Sequence, residues 1–232
     1  MFTDGWSTKT SYMPDSKLLQ ASIPIRGLRT QFPYTSVTWN ILGLSMGLSS
    51  HIGYLALQNQ EVSPWLLRCG LLCWEMAAPN TLLVSAVVRY AIWPACIKRG
   101  DSSNCQSWRA LTWHNANAFM SICEVSLLGG LPVLFSHISL SVILGTSYII
   151  FSWCHMHSWT PDGRPNFLYF FLDTTRGWKT TYSLYSLLAT LMGFFSVFAG
   201  AGALLKHGGN GQISLHIGFA LFILSVVCRF RD

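Results

Sequence analysis

Apolar residues in this chain fall into six long blocks separated by short polar stretches. The blocks run roughly over residues 34–57, 66–97, 110–133, 137–156, 179–206 and 212–229. A helix that crosses a bilayer needs about 20 mostly apolar residues, so each block predicts one membrane-spanning helix. The second block is the longest, about 48 Å at the rise of an α-helix. It has to tilt, bend or protrude, and Pro79 in EMAAPNTLL is the natural place for a bend. The connection between the third and fourth blocks, around LPVLFSHIS, is short, which predicts an antiparallel pair of neighbours.

The first 33 residues break this pattern. They are mixed and polar, and lack the apolar core of a cleavable signal. SKLLQASIPIRGLRT, residues 16–30, fits a short basic segment lying on a membrane surface, or the remains of a targeting sequence. The expected organisation is therefore a polar N-terminal segment over 1–33 and one transmembrane domain over 34–229. The expected fold class is all-α, a polytopic bundle of about six spans.

Composition strengthens this picture. Of the 232 residues, 51% are hydrophobic and 10% charged, against about 25% charged in a soluble domain. Mean hydropathy is +0.38. The net charge of +6 sits in loops beside apolar blocks, with no basic cluster interleaved with aromatics, so nucleic acid is not an expected partner. The cations report topology instead. With six spans and a cytoplasmic N terminus, Lys9, Lys17, Arg26, Arg29, Lys98, Arg99, Arg109, Arg164, Arg176, Lys179, Arg229 and Arg231 fall on the cytoplasmic side. Lys206, with Arg68 just inside a helix, falls on the other. Both termini are expected on the positive side of an integral, multi-pass protein of an endomembrane or the plasma membrane, with an organelle membrane as the alternative.

Seven cysteines, Cys69, Cys73, Cys96, Cys105, Cys123, Cys154 and Cys228, mostly lie within the apolar blocks. Their spacing marks neither a disulfide framework nor a zinc site, and no cofactor or metal is expected. Small residues in GLSMG (Gly43 to Gly47) and SVFAGAGALL predict tight helix packing.

Polar residues inside the blocks carry the candidate chemistry, because intramembrane polar groups are costly and often functional. They are His51, Glu75, Arg89, His114, Asn117, Glu124 and His216. In LTWHNANAFMSICEVSLL, Asn117, Ser121 and Glu124 share a helix face, with His114 one turn below. Such a stripe must face the bundle interior. Arg89 is the expected partner of Glu124, and His51 of Glu75, both as structural pairs. His114 sits near the cytoplasmic surface, at a depth similar to Thr35 and Thr38 in FPYTSVTWN. A hydroxyl and an imidazole within reach form the minimal activated nucleophile; the histidine takes and returns the proton. Asn117 would orient the ring or donate to an oxyanion. The alternative is that a threonine caps the first helix while His114 snorkels to the interface.

Four stretches resemble the androgen-induced and androgen-dependent transmembrane hydrolase family, which includes rolling-stone-like proteins. These are YTSVTWNILGLSMG, AAPNTLLVSAVVRYAIW, HNANAFMSICE, and GTSYIIFSWCHMHSW followed by RPNFLYFFLD, together covering about residues 33–175. The resemblance implies a multi-pass threonine hydrolase that cleaves fatty acid esters of hydroxy fatty acids in the bilayer. His114 then matches the catalytic histidine, Thr35 the threonine nucleophile through Tyr34-Thr35, and Thr38 is the reserve. Asn117 stands where relatives carry histidine or asparagine. The chain departs from the pattern in having no apolar span before residue 33 and a further one at 212–229.

A different class of function, a non-catalytic subunit of a larger membrane complex, fits a small helical chain equally well, since fold does not fix function. A haem held by two of His51, His114, His155, His157 and His216 lacks any supporting motif beyond the ligands. A transporter lacks a repeat or paired broken helices.

Overall fold

In the computed structural model of the chain, the residues described are 5–10, 13–19, 21–98, 100, 106–128, 131–160, 162–208 and 213–229. Cys105, Arg99 and Arg231 lie outside them, as do the side chains of Lys9 and Lys206. Six helices of 15 residues or more are present among the described residues: α1 (Tyr34–Leu57), α2 (Pro64–Lys98), α3 (Trp108–Ser126), α4 (Ile138–Cys154), α5 (Trp178–Gly208) and α6 (Ile213–Val227). Each corresponds to one apolar block of the sequence. Three segments are long and apolar enough to cross a membrane: Pro64–Lys98, Phe135–Cys154 and Trp178–Leu205.

The all-α expectation needs one correction. Strands β1 (Trp6–Lys9) and β2 (Ser22–Ile25) pair antiparallel, with Trp6 opposite Ile25 and Lys9 opposite Ser22. The two-residue period of a strand turns Ile23 and Ile25 inward, where both are buried against Trp159. Two isoleucines spaced by one residue are too few to register as a periodic block.

The chain divides into two compact units, Met1–Val37 with Val142–Thr190, and Thr38–Ser141 with Leu191–Asp232. In the first, the hairpin is tied to the turns that precede α5. The buried Asp173 carboxylate accepts hydrogen bonds from Ser16 Oγ, from Thr175 N at 2.9 Å and from Thr175 Oγ1 at 2.7 Å. Asp15 pairs with Arg176 at 3.2 Å and Lys179 at 2.9 Å. The segment over 16–30 is thus stitched into the fold, and its neighbour Asp15 takes two cations. Gly177, at φ 61°, makes the left-handed turn that starts α5, a backbone conformation glycine adopts without strain.

In the second unit, one packed cluster joins Leu42 of α1, Trp74, Ala77, Ala78 and Leu82 of α2, Ala118 and Ile122 of α3, Phe195 and Phe198 of α5, and Ala220 of α6. Helix α2 runs unbroken through Pro79 and changes pitch later, in a π turn at Val88–Ile92. Side-chain bonds sustain the helix past the proline: Asn80 Nδ2 donates to Met76 O at 2.6 Å and Thr81 Oγ1 to Ala78 O at 2.7 Å.

The small-residue expectation fails at its named positions. A methyl added at Gly43, Gly47 or Gly200 would meet nothing within 4 Å. The close approach is instead at Gly70, where a Cβ would lie 3.0 Å from Ile52 Cδ1 and 3.7 Å from Leu131 Cδ1.

Candidate functional site

Helix α3 starts at Ser107, whose hydroxyl accepts from Ala110 N at 3.2 Å as an N-cap. Seven residues on, it presents His114, Asn117 and Ser121 at i, i+3 and i+7. That spacing puts all three on one face of the helix. Asn117 and Ser121 are fully buried. His114 Nδ1, Asn117 Nδ2 and Ser121 Oγ are all buried, and none has a hydrogen-bond partner among the described residues.

The neighbourhood of His114 is held from three sides. Its carbonyl accepts from Ser85 Oγ of α2 at 2.5 Å. The adjacent Asn115 donates through Nδ2 to Arg229 O at 2.8 Å and accepts from Arg229 N at 3.2 Å. On the other side of His114, Trp113 O accepts from Trp39 Nε1 at 2.8 Å, with the two indoles edge to face at 5.9 Å. Asn117 Oδ1 accepts from Ala118 N at 2.8 Å, so the oxygen of that amide is engaged and its NH2 is not.

The two candidate threonines differ in surroundings. Thr38, 1% exposed, belongs with His114 to the second unit and directly precedes Trp39, which bonds to the residue before His114. Thr35 belongs to the first unit. Its hydroxyl is hydrogen-bonded to the Tyr169 phenol, which also accepts from Tyr34 N at 3.1 Å and bonds to Tyr148. Burial pushes the Tyr169 phenol above its ordinary range, against the lowering effect of those hydrogen bonds.

Two expected pairs do not form. Arg89 donates to the carbonyls of Ser225 and, at 2.7 Å, Cys228 at the end of α6. The last carbonyls of a helix lack partners within it and carry the negative end of its dipole, which makes them a natural home for a guanidinium. Glu124 makes no ion pair with Arg89. Glu75, fully buried, accepts from Leu134 N at 2.7 Å and meets His137 Nδ1 at 2.7 Å. His51 is exposed on α1 instead. His216, at 2.5 Å from Ser126 O through Nδ1, ties α6 to the end of α3.

Sequence reasoning missed His137 and Ser85 and gave Asn115 no role. His137 lies in the short connection quoted above, at the same end of the bundle as Glu75, and that coincidence was its available signal. Asn115 sits beside His114, but its partner is a backbone group more than a hundred residues away. No residue-type pattern marks such a contact. Among the described residues, no group of three or more His, Cys, Asp or Glu converges to hold a metal ion.

Compared with protein-family models, with curated proteins and with solved structures, the chain finds no match.

Proposed function

We propose that this protein is an integral-membrane, multi-pass lipid ester hydrolase with His114 as general base and Thr38 as nucleophile. The observation that carries the reading is the half-buried His114 imidazole, its Nδ1 buried and unpartnered among the described residues, one turn from the unpartnered Asn117 NH2. An imidazole with a free nitrogen can take the hydroxyl proton and return it to the leaving alcohol. An amide NH2 beside it can donate to the oxyanion as the carbonyl becomes tetrahedral. The bond from Trp39, the residue after Thr38, to Trp113, the residue before His114, favours Thr38 over Thr35. The resemblance supplies the substrate class, fatty acid esters of hydroxy fatty acids.

In this reading all six helices cross the bilayer, with both termini on the positive side. Exposed aromatics at helix ends support it: Tyr54 near the end of α1 and Trp65 at the start of α2, then Tyr90 near the end of α2 and Trp108 at the start of α3. Tryptophan and tyrosine collect at the two membrane interfaces. The test is hydrolysis of a panel of fluorogenic lipid esters by purified protein, comparing wild type with Thr35→Ala, Thr38→Ala and His114→Ala. Loss in His114→Ala and in Thr38→Ala alone supports the assignment. No turnover, together with no labelling by an activated-ester probe, rejects the enzyme.

One observation favours the second reading, a subunit of a larger membrane assembly. Exposed His51 shares the outer surface of α1 with the open Gly43 and Gly47, the composition by which membrane helices associate. Stoichiometric co-purification of another membrane protein, lost in His51→Leu, would identify that role.

A further inference from the structure

Among the described residues, most of the buried side-chain polar atoms without a partner belong to one unit. Ser45 Oγ, Trp74 Nε1, His114 Nδ1, Asn117 Nδ2, Ser121 Oγ and Ser141 Oγ belong to the second unit, and Trp159 Nε1 to the first. Buried polar groups are almost always hydrogen-bonded, so each exception needs an explanation.

The helix geometry orders four of them. The Trp39–Trp113 bond joins α1 and α3 near their starts. Leu42 of α1 belongs to one cluster with Ala118 and Ile122 of α3. Ser45 is seven residues beyond Thr38, and Ser121 is seven beyond His114. Each interval is two helical turns, about 10 Å. Trp74 of α2 belongs to the same cluster as Leu42, Ala118 and Ile122. Ser45, Trp74, Asn117 and Ser121 are all 1% exposed or less. On α3, Asn117 and Ser121 therefore extend the His114 face as a buried ladder, and Trp74 of α2 belongs to the cluster that packs on that helix.

The chemistry of the ladder selects its ligand. The indole N–H and the amide NH2 only donate, and a hydroxyl can donate. No basic side chain belongs to the ladder, so nothing there balances an anion. We propose that this ladder is a binding subsite for uncharged oxygen acceptors, additional to the proposed Thr38–His114 pair. The acceptor is either ordered water or the carbonyl or hydroxyl oxygen of a neutral lipid. The subsite does not depend on ester hydrolysis; an inactive protein would still carry it.

The test uses the full chain in dioleoyl phosphatidylcholine nanodiscs, with and without dioleoylglycerol. Hydroxyl radicals generated by X-ray radiolysis modify side chains that touch water, and mass spectrometry reads Trp74. Thermal melting is measured alongside for Ser121→Ala and Asn117→Leu. The expected result is modification of Trp74 despite its burial, reduced several-fold in the Asn117→Leu/Ser121→Ala double variant. Melting temperature should fall in each single variant. Protection by dioleoylglycerol assigns the acceptor to a lipid oxygen; modification without protection assigns it to water. An unmodified Trp74 with lowered melting in Ser121→Ala assigns it to the phosphatidylcholine esters. An unmodified Trp74 together with unchanged or raised melting in Ser121→Ala overturns the proposal, because removing a truly unbonded buried hydroxyl does not destabilise.

Discussion

The two units differ most at one polar face. In the first, polar side chains answer one another: Asp173 with Ser16 and Thr175, Asp15 with Arg176 and Lys179, Thr35 with Tyr169. In the second, one face of α3 holds His114 Nδ1, Asn117 Nδ2 and Ser121 Oγ without a partner among the described residues. A saturated network lowers the free energy of the fold and has nothing left to offer a ligand. An unsaturated one lowers stability, and is retained where it serves a ligand or a reaction. The contrast separates polar groups that build from polar groups that act.

The largest expected effect tests the acting side. His114→Ala should reduce ester hydrolysis by about 10²–10⁴-fold, the usual contribution of a positioned acid–base group. Its melting temperature should fall by no more than the lost packing of the ring, because the buried Nδ1 it removes has no partner among the described residues. A large drop in melting with unchanged turnover would place His114 among the builders. Thr35→Ala, on the building side, should keep most of the activity that Thr38→Ala loses.

Asp173→Ala should do the reverse, lowering stability by about 2 kcal/mol as the half-buried donors of Ser16 and Thr175 lose a charged acceptor. Limited proteolysis should then release the β1–β2 hairpin while ester hydrolysis persists. Glu75→Leu should cost about 2 kcal/mol in thermal or denaturant unfolding, since Leu134 N loses its acceptor. Its pair with His137 is half-exposed on the histidine side and adds little.

The smallest effect is one of pH. The hydrogen bond from Lys179, with help from Arg176, holds the Asp15 carboxyl below the ordinary carboxylate range. A carboxyl depressed in the folded state stabilises it fully above the ordinary value, and that contribution fades as pH falls through the lowered one. Hairpin protection in hydrogen exchange should therefore weaken as acid passes from about pH 4 downward. Asp15→Asn should show the weakened hairpin at neutral pH and lose that part of the acid dependence.

Helix-forming blocks were legible in the sequence because each buries or exposes apolar surface over many residues, and all six reappear as helices. The polar face of α3 was legible for the same reason, since His114, Asn117 and Ser121 obey helical spacing. Contacts between distant segments were not. Arg89 and Glu124 suit one another by charge and depth, yet Arg89 takes the carbonyls of Ser225 and Cys228. Backbone acceptors at a helix end are present in every sequence and advertise nothing. The β1–β2 hairpin was hidden because its burial rests on Trp159, far along the chain, and not on a local run.

The Glu75 contact also bears on how the chain is made. Its two partners, Leu134 and His137, are synthesised about sixty residues after the carboxylate itself. During that interval α2 carries a carboxyl in its apolar stretch with neither of its final hydrogen bonds. If α2 crosses a membrane, it cannot settle alone at its final depth, because an unpaired charge there is expensive. Insertion is then ordered by the carboxylate: α2 waits near the interface or beside the insertion machinery until α3 and the turn before α4 have emerged. A nascent chain stalled before Leu134 should hold α2 loosely, and one stalled after His137 firmly.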